Sequence, residues 1–134
     1  MLRQISVYAE NRRGMMLDIT EILQRENINI WGSVTIDNAE FGIIRMVVSD
    51  TQRALKAFQD AGYLCRVVDV IGVEVSDEVG NLNHLLKALE ESHINVNYIS
   101  LSFSRDSARP IMIFHTEDAA EVEECLEMKG FTIA

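Results

Sequence analysis

Proline occurs once and cysteine twice in the 134 residues, tryptophan once, and glycine seven times. A single proline excludes a proline-rich linker or polyproline segment, and scattered glycine excludes a low-complexity chain. Cys65 and Cys125 stand far apart, with no Cys or His near them at metal-ligand spacing. A disulfide framework and a zinc site are therefore not expected, and the two thiols are read as buried, reduced, small apolar side chains. Uncharged apolar runs such as Val70 to Val73 are far too short to cross a bilayer. Met1-Leu2-Arg3 leads straight into a strand-like alternation, without a basic segment and a long apolar run behind it. No signal peptide and no membrane association are expected, and the cytoplasm is the expected location.

Positive charge is also scarce. Twelve Lys and Arg face twenty-one Asp and Glu, a formal net charge of -9. A nucleic-acid backbone requires the opposite sign, so nucleic acid is not an expected partner. The imbalance is uneven: residues 1–69 hold eight basic against nine acidic residues, residues 70–134 four against twelve. Much of the excess gathers at Glu117, Asp118, Glu121, Glu123, Glu124 and Glu127, which read as the solvated face of a last helix.

The apolar fraction of 48% is that of an ordinary globular protein. Its arrangement is repetitive. Gly14, Met16, Ile19, Leu23 and Ile28-Asn29-Ile30 return as Gly80, Leu82, Leu85, Leu89 and Ile94-Asn95-Val96, always 66 residues later. A constant offset at glycine and apolar positions marks duplication of one structural unit. Residues 1–70 and 71–134 are the expected domains, each small enough that a lone core is marginal and packing of unit on unit is favoured.

Gln4 to Ala9 alternates as a half-buried strand. Gly14 then opens a helix over Met15 to Arg25, with Met16, Ile19, Ile22 and Leu23 at buried spacing and Asp18 at the positive end of the dipole. A second strand spans Asn27 to Asp37, where Gly32 marks either a bulge or a close approach to the backbone. Asn38-Ala39-Glu40 reads as a hairpin connection into a strand, Phe41 to Val48, buried on both faces apart from Arg45. Ser49 or Asp50 caps the next helix, which Gly62 ends, and Tyr63 to Val70 is a fourth strand. Ile71-Gly72 reads as a break before the repeat. In the second unit Leu82, Leu85, Leu86 and Leu89 form the stripe of a helix, Asn95 to Phe103 a strand, Ser104 to Arg109 a turn, and Pro110 opens the next strand. A last helix turns Ala119, Val122, Cys125 and Leu126 inward, and Phe131 to Ile133 is a short strand. Each unit thus reads β-α-β-β-α-β, the ferredoxin-like order.

In that order, Asn11-x-x-Gly14-x-Met16-x-x-Ile19 with Ile28-Asn29-Ile30 resembles the ACT domain, a small ferredoxin-like module of amino-acid-dependent regulation. Asp77-x-x-Gly80-x-Leu82-x-x-Leu85 with Ile94-Asn95-Val96 resembles a second copy, so the resemblance covers nearly the whole chain. It implies two tandem α+β units, each a four-stranded antiparallel sheet with helices on one face, joined side by side into one eight-stranded sheet. It also implies a homodimer, and an amino acid held at the seam between units by the loop after one unit's first strand and the second strand of its neighbour.

Carried onto this chain, the first loop supplies Asn11, Arg12, Gly14, Met15 and Met16, facing a strand start at Trp31 and Ser33. The second supplies Asp77, Val79, Gly80, Asn81 and Leu82, facing Asn97 and Ile99. Asn11 is a candidate for the ligand's amino or carboxylate group, Asp77 for an ammonium. The amides after each glycine are candidates for a carboxylate, as helix N-termini generally are. Met15-Met16 stands where the family has a smaller aliphatic pair. Trp31 either walls a pocket or fills an interface, and Asn11 and Asp77 are equally read as turn residues or caps.

His84, His93 and His115 have no nucleophile or carboxylate at a catalytic spacing, and no phosphate-binding loop, metalloprotease or redox motif is present. No enzyme and no cofactor are expected. Two functions remain open: a regulatory module that binds an amino acid and acts on a partner protein, and a ligand-free interaction scaffold.

Overall fold

β1 (Leu2–Glu10) alternates in the way the sequence requires, with Ile5, Val7 and Ala9 on one face. Its other face is covered as well, for Gln4 and Ser6 are buried. The computed structural model describes residues 1–37 and 41–134. Asn38-Ala39-Glu40, read as a hairpin connection, lies outside the described residues.

The chain divides into two compact units, Arg3–Val68 and Asp69–Ala134 with Met1–Leu2. In the first, β1 is followed by α1 (Met15–Arg25), β2 (Ile30–Asp37), β3 (Phe41–Val48), α2 (Thr51–Asp60) and the first part of β4 (Leu64–Glu74). The strand order is β2-β3-β1-β4. β3 runs antiparallel to both neighbours, Val7 opposite Ile44 on one side and Thr35 opposite Ile44 on the other. The pairing of β2 slips between Ile30 and Gly32, so Trp31 is the extra residue of the expected bulge. The core gathers Ile5, Val7, Ile19, Leu23, Met46 and Phe58.

The second unit repeats the plan. The end of β4 serves as its first strand, followed by α3 (Asn81–Glu91), β5 (Tyr98–Phe103), β6 (Pro110–His115), α4 (Ala119–Met128) and β7 (Thr132–Ile133). β4 pairs antiparallel with β6 and β7, and β6 with β5. Its core holds Ile71, Val73, Leu85, Leu89, Phe114 and Leu126.

Four expectations are corrected. The break at Ile71-Gly72 does not exist: β4 is continuous, so seven strands stand among the described residues where eight were expected. Glycine is there because of crowding, since a Cβ on Gly72 would lie 2.8 Å from Leu2 Cδ1 and 3.2 Å from both Ala134 Cβ and Ile111 Cγ2. On α1, Met15 enters the core at 5% exposure and Met16 is 46% exposed. Both choices satisfy a helical spacing with Ile19 and Leu23, and only the observed start at Met15 separates them. On α3, Leu86 is 39% exposed and Ala88 takes the inward place. On β3, Phe41 is exposed and Ile43 half-buried, so that strand covers both faces only from Met46 onward.

The helix ends repeat at the same offset as the starts. Asn27 and His93 both take positive φ, at 56° and 57°. The following residues, Ile28 and Ile94, donate to Leu23 O and Leu89 O, each at 2.9 Å, the long-reach bond of a left-handed helix stop. α2 starts at Asp50, whose carboxylate accepts from Arg53 N–H at 3.1 Å, which settles the choice between Ser49 and Asp50.

Candidate functional site

In each unit the strand hands over to the helix through a glycine in the left-handed region, where an L side chain is strained. Gly14 has φ 85°, and no side chain of the N-cap satisfies the α1 start. Met15 N–H donates to Arg12 O at 3.2 Å and Asp18 N–H to Gly14 O at 3.0 Å. The first satisfies one of the four donors that a helix start leaves without an intrahelical partner, and the second is the first bond of the helix itself. The Arg12 guanidinium folds across the loop onto Asp18 at 2.6 Å and also donates to Arg13 O at 3.1 Å. The hydrogen bond and charge of Asp18 raise the Arg12 pKa further above its ordinary value. Met16 lies beside β2, its Sδ 3.6 Å from Thr35 Oγ1. Met15 points instead into the core, its Cε 3.0 Å from where a Cβ on Gly42 would stand. Asn11 is exposed, as are Trp31 and Ser33 farther back along β2.

The second loop has the same backbone and different chemistry. Gly80 has φ 89°, and His84 N–H returns to Gly80 O at 2.9 Å. Here Asn81 closes the helix start on itself: its side-chain oxygen accepts from Leu82 N–H, and its Nδ2 donates to Ser76 O at 2.7 Å. A cavity of about 420 Å³ opens between this loop and β7, walled by Glu74, Ser76, Glu78, Val79, Gly80, Asn81, His84, Phe131 and Thr132. The His84 and Phe131 rings lie 5.3 Å apart, tilted by 35°.

Of the second set of expected residues, Val79, Gly80 and Asn81 share this cavity wall, while Leu82 packs on the core and Asp77 is exposed. Asn97 and Ile99 do not line it. Ile99 packs on the core, and Asn97 holds His115 Nδ1 at 2.9 Å, beside the stacked ring of Tyr98. Glu74, Ser76, His84, Phe131 and Thr132 also line the cavity and lie outside the expected set. The signal was available in the topology, because the ferredoxin-like order brings the last strand beside the first, and Thr132 indeed pairs with Glu74.

The two thiols are half-buried and free. Burial raises the Cys65 pKa, and Cys125 Sγ lies 3.4 Å from Ser92 Oγ. No group of three or more metal-ligating side chains occurs among the described residues, and none of their helices is long and apolar enough to cross a membrane.

Two βαββαβ units with a glycine-opened helix after the first strand define a tandem ferredoxin-like protein. The chain belongs to the ACT domain pair family, whose model matches residues 1–132. Among solved structures it is similar to protein BT0572 from Bacteroides thetaiotaomicron, with 28% identity, a TM-score of 0.90, and coverage of 99% of this chain and 91% of that one. The regulatory subunit of aspartate kinase from Thermus thermophilus, in its ligand-free form, shares the fold at 15% identity and a TM-score of 0.69, over 95% of this chain and 91% of that one. The corresponding subunit from Thermus flavus shares it at 18% identity and a TM-score of 0.68, over 93% and 88%. No curated protein matches the sequence.

Proposed function

We propose that the chain is a non-catalytic regulatory module that binds a small ligand of the amino-acid class at its glycine-opened loops, and acts as a homodimer on a partner protein in the cytoplasm. The observation that carries this reading is the pair of left-handed glycines, Gly14 and Gly80, each opening the helix after a unit's first strand. At the first loop, the bond of Met15 N–H to Arg12 O satisfies one donor of the helix start, and the Met16 and Leu17 amides are the ones we assign to a carboxylate. Family membership and the shared fold of aspartate kinase regulatory subunits support the same reading. A ligand regulates only through different affinities for two arrangements of the protein, so binding must couple to a change in the module or its partner.

The test is a thermal-shift screen of the intact chain against the twenty amino acids at millimolar concentration. At one hundred times its dissociation constant, a ligand specific for the folded state adds about 2.7 kcal/mol to stability. One amino acid raising the midpoint, with the effect reduced in Gly14→Ala or Gly80→Ala, supports the reading; a flat screen rejects it. A flat screen would favour an interaction scaffold, for which the specific observation is the edge strand β5, where Leu101 and Phe103 are 58% and 60% exposed.

A further inference from the structure

We propose that the helix-free face of the first unit's sheet docks an amphipathic helix of a partner protein, one that carries carboxylates beside its apolar stripe. The proposal rests on the regulatory reading above, in which the module acts on a partner, and names the surface and the chemistry of that contact.

Strand alternation defines the face. Ile5, Val7, Ile44 and Met46 join the core with α1 and α2, so their neighbours along β1 and β3 point the other way. Pairing sets Tyr8, Ile43 and Ile36 in one row across three strands, and Ser6, Arg45 and Val34 in the next. Phe41 lies opposite Glu10, its ring 6.4 Å from that of Tyr8. On β4, the other neighbour of β1, Cys65 and Val67 pack on the core, which turns Leu64 and Arg66 to this face as well. The burial of Gln4 and Ser6 does not extend along β1, where Tyr8 is half-buried and Glu10 exposed. Val34, Ile36, Phe41 and Leu64 are 37%, 38%, 39% and 70% exposed.

The repeat shows that the fold does not demand this apolar face. An antiparallel sheet covered by helices on one side ordinarily turns polar residues to the other. The first and second strands of the second unit follow that rule: at the offset of 66, Tyr8 corresponds to Glu74, Val34 to Ser100 and Ile36 to Ser102. The same strand plan therefore carries Glu, Ser and Ser in one unit and Tyr, Val and Ile in the other. A sheet that is apolar on both faces calls for a second covering layer, and a contiguous exposed apolar patch marks an interaction surface.

Charge selects the occupant. Arg45 stands within the patch and Arg66 at its β4 side, against Glu10. Residues 1–69 are nearly neutral, eight basic against nine acidic, so these arginines are not submerged in the chain's net charge of -9. Guanidinium groups over an apolar face match carboxylates flanking an apolar stripe. A helix about 10 Å across covers two to three strands set about 4.8 Å apart, the width of these rows. Face-to-face contact with a second copy of the chain doubles the arginines, two for each Glu10, and leaves their charge uncompensated. The Tyr8 and Phe41 rings alone would suit stacked bases, yet their neighbours are aliphatic and a phosphate backbone calls for a tract of cations rather than two.

The experiment is amide NMR of the intact labelled chain, titrated with an amidated peptide of about 20 residues that has leucines at i, i+3, i+4 and i+7 flanked by glutamates. The same leucine stripe flanked by lysines, and oligouridine, are titrated separately. The glutamate peptide should shift the Tyr8, Val34, Ile43 and Arg66 amides saturably and leave those of Ser100 and Ser102 in place. Ile36→Ser, which matches the second unit, and Arg66→Gln, at an exposed position, should each weaken this binding at least tenfold, with folding checked by circular dichroism and urea midpoint. The proposal is overturned if the glutamate peptide leaves those amides unmoved, if the lysine peptide binds as tightly, if oligouridine shifts them and the peptide does not, or if both variants bind unchanged. It is also overturned if Ile36→Ser lowers the mass of the free chain in sedimentation, because a second copy then covers the face. An amino acid that raises the melting midpoint of a chain that ignores the peptide would remove this proposal and leave the regulatory reading intact.

Discussion

Gly14 and Gly80 adopt nearly the same left-handed backbone, φ 85° with ψ -1° and φ 89° with ψ 3°, although 66 positions separate them. The same shift relates the helix stops at Asn27 and His93, and the inward positions Ile19, Ile22 and Leu23 to Leu85, Ala88 and Leu89. Duplication has thus preserved where each helix starts, which face it buries and how it ends.

Replacing either glycine with alanine should cost about 1–2 kcal/mol, the penalty for a Cβ in the left-handed region. Space is not the cause, because a Cβ at Gly80 meets nothing within 4 Å and one at Gly14 only Arg12 Nη1 at 3.8 Å. Urea unfolding of the two variants should therefore give similar losses.

Gly72→Ala should destabilise for a different reason. Its Cβ would meet Leu2 Cδ1, the tip of a side chain that can shift, with Ala134 Cβ and Ile111 Cγ2 close by, so the cost should stay at about 1 kcal/mol, the low end for overpacking. The double variant with Leu2→Ala should lose less than the sum of the two single changes. A strictly additive result in denaturant unfolding would refute the clash.

Asp50→Ala should lower stability by about 1 kcal/mol, because the carboxylate that accepts from Arg53 N–H is the N-cap of α2. Asp50→Asn keeps an acceptor oxygen and should recover most of the loss in the same unfolding assay.

The Cys65 thiol, raised by burial, should react more slowly with a disulfide reagent at neutral pH than a free cysteine, and should accelerate on unfolding. The sign for stability follows from linkage. The folded state favours the neutral thiol, so this contribution is complete below the unfolded pKa of about 8.5 and is lost as pH rises through the higher folded value. Cys65→Ser should flatten that part of the pH-stability curve.

Much of this fold was legible because glycine and apolar spacing carry backbone information directly. Gly14, Gly62, Gly80 and Gly130 all take positive φ at element junctions, and α1 begins and ends where the sequence indicated. Residues that share a helical spacing were not separable, so Met15 and Met16 were exchanged, as were Leu86 and Ala88. Gly72 was misread because glycine serves both as a strand breaker and as the one residue that fits under Leu2 and Ala134. The cavity was half legible: its loop follows from the repeat, whereas Glu74, Phe131 and Thr132 join it only through the pairing of β7 with β4.

We propose the glycine-opened loops as the place where a small ligand enters. The most direct measurement is a two-dimensional amide spectrum of the labelled chain, titrated with the amino acid that stabilises it in the thermal screen. Saturable shifts should concentrate from Gly14 to Asp18, from Gly80 to His84, or at both. Shifts confined to other parts of the chain, or none at ligand concentrations that raise the melting midpoint, would contradict it.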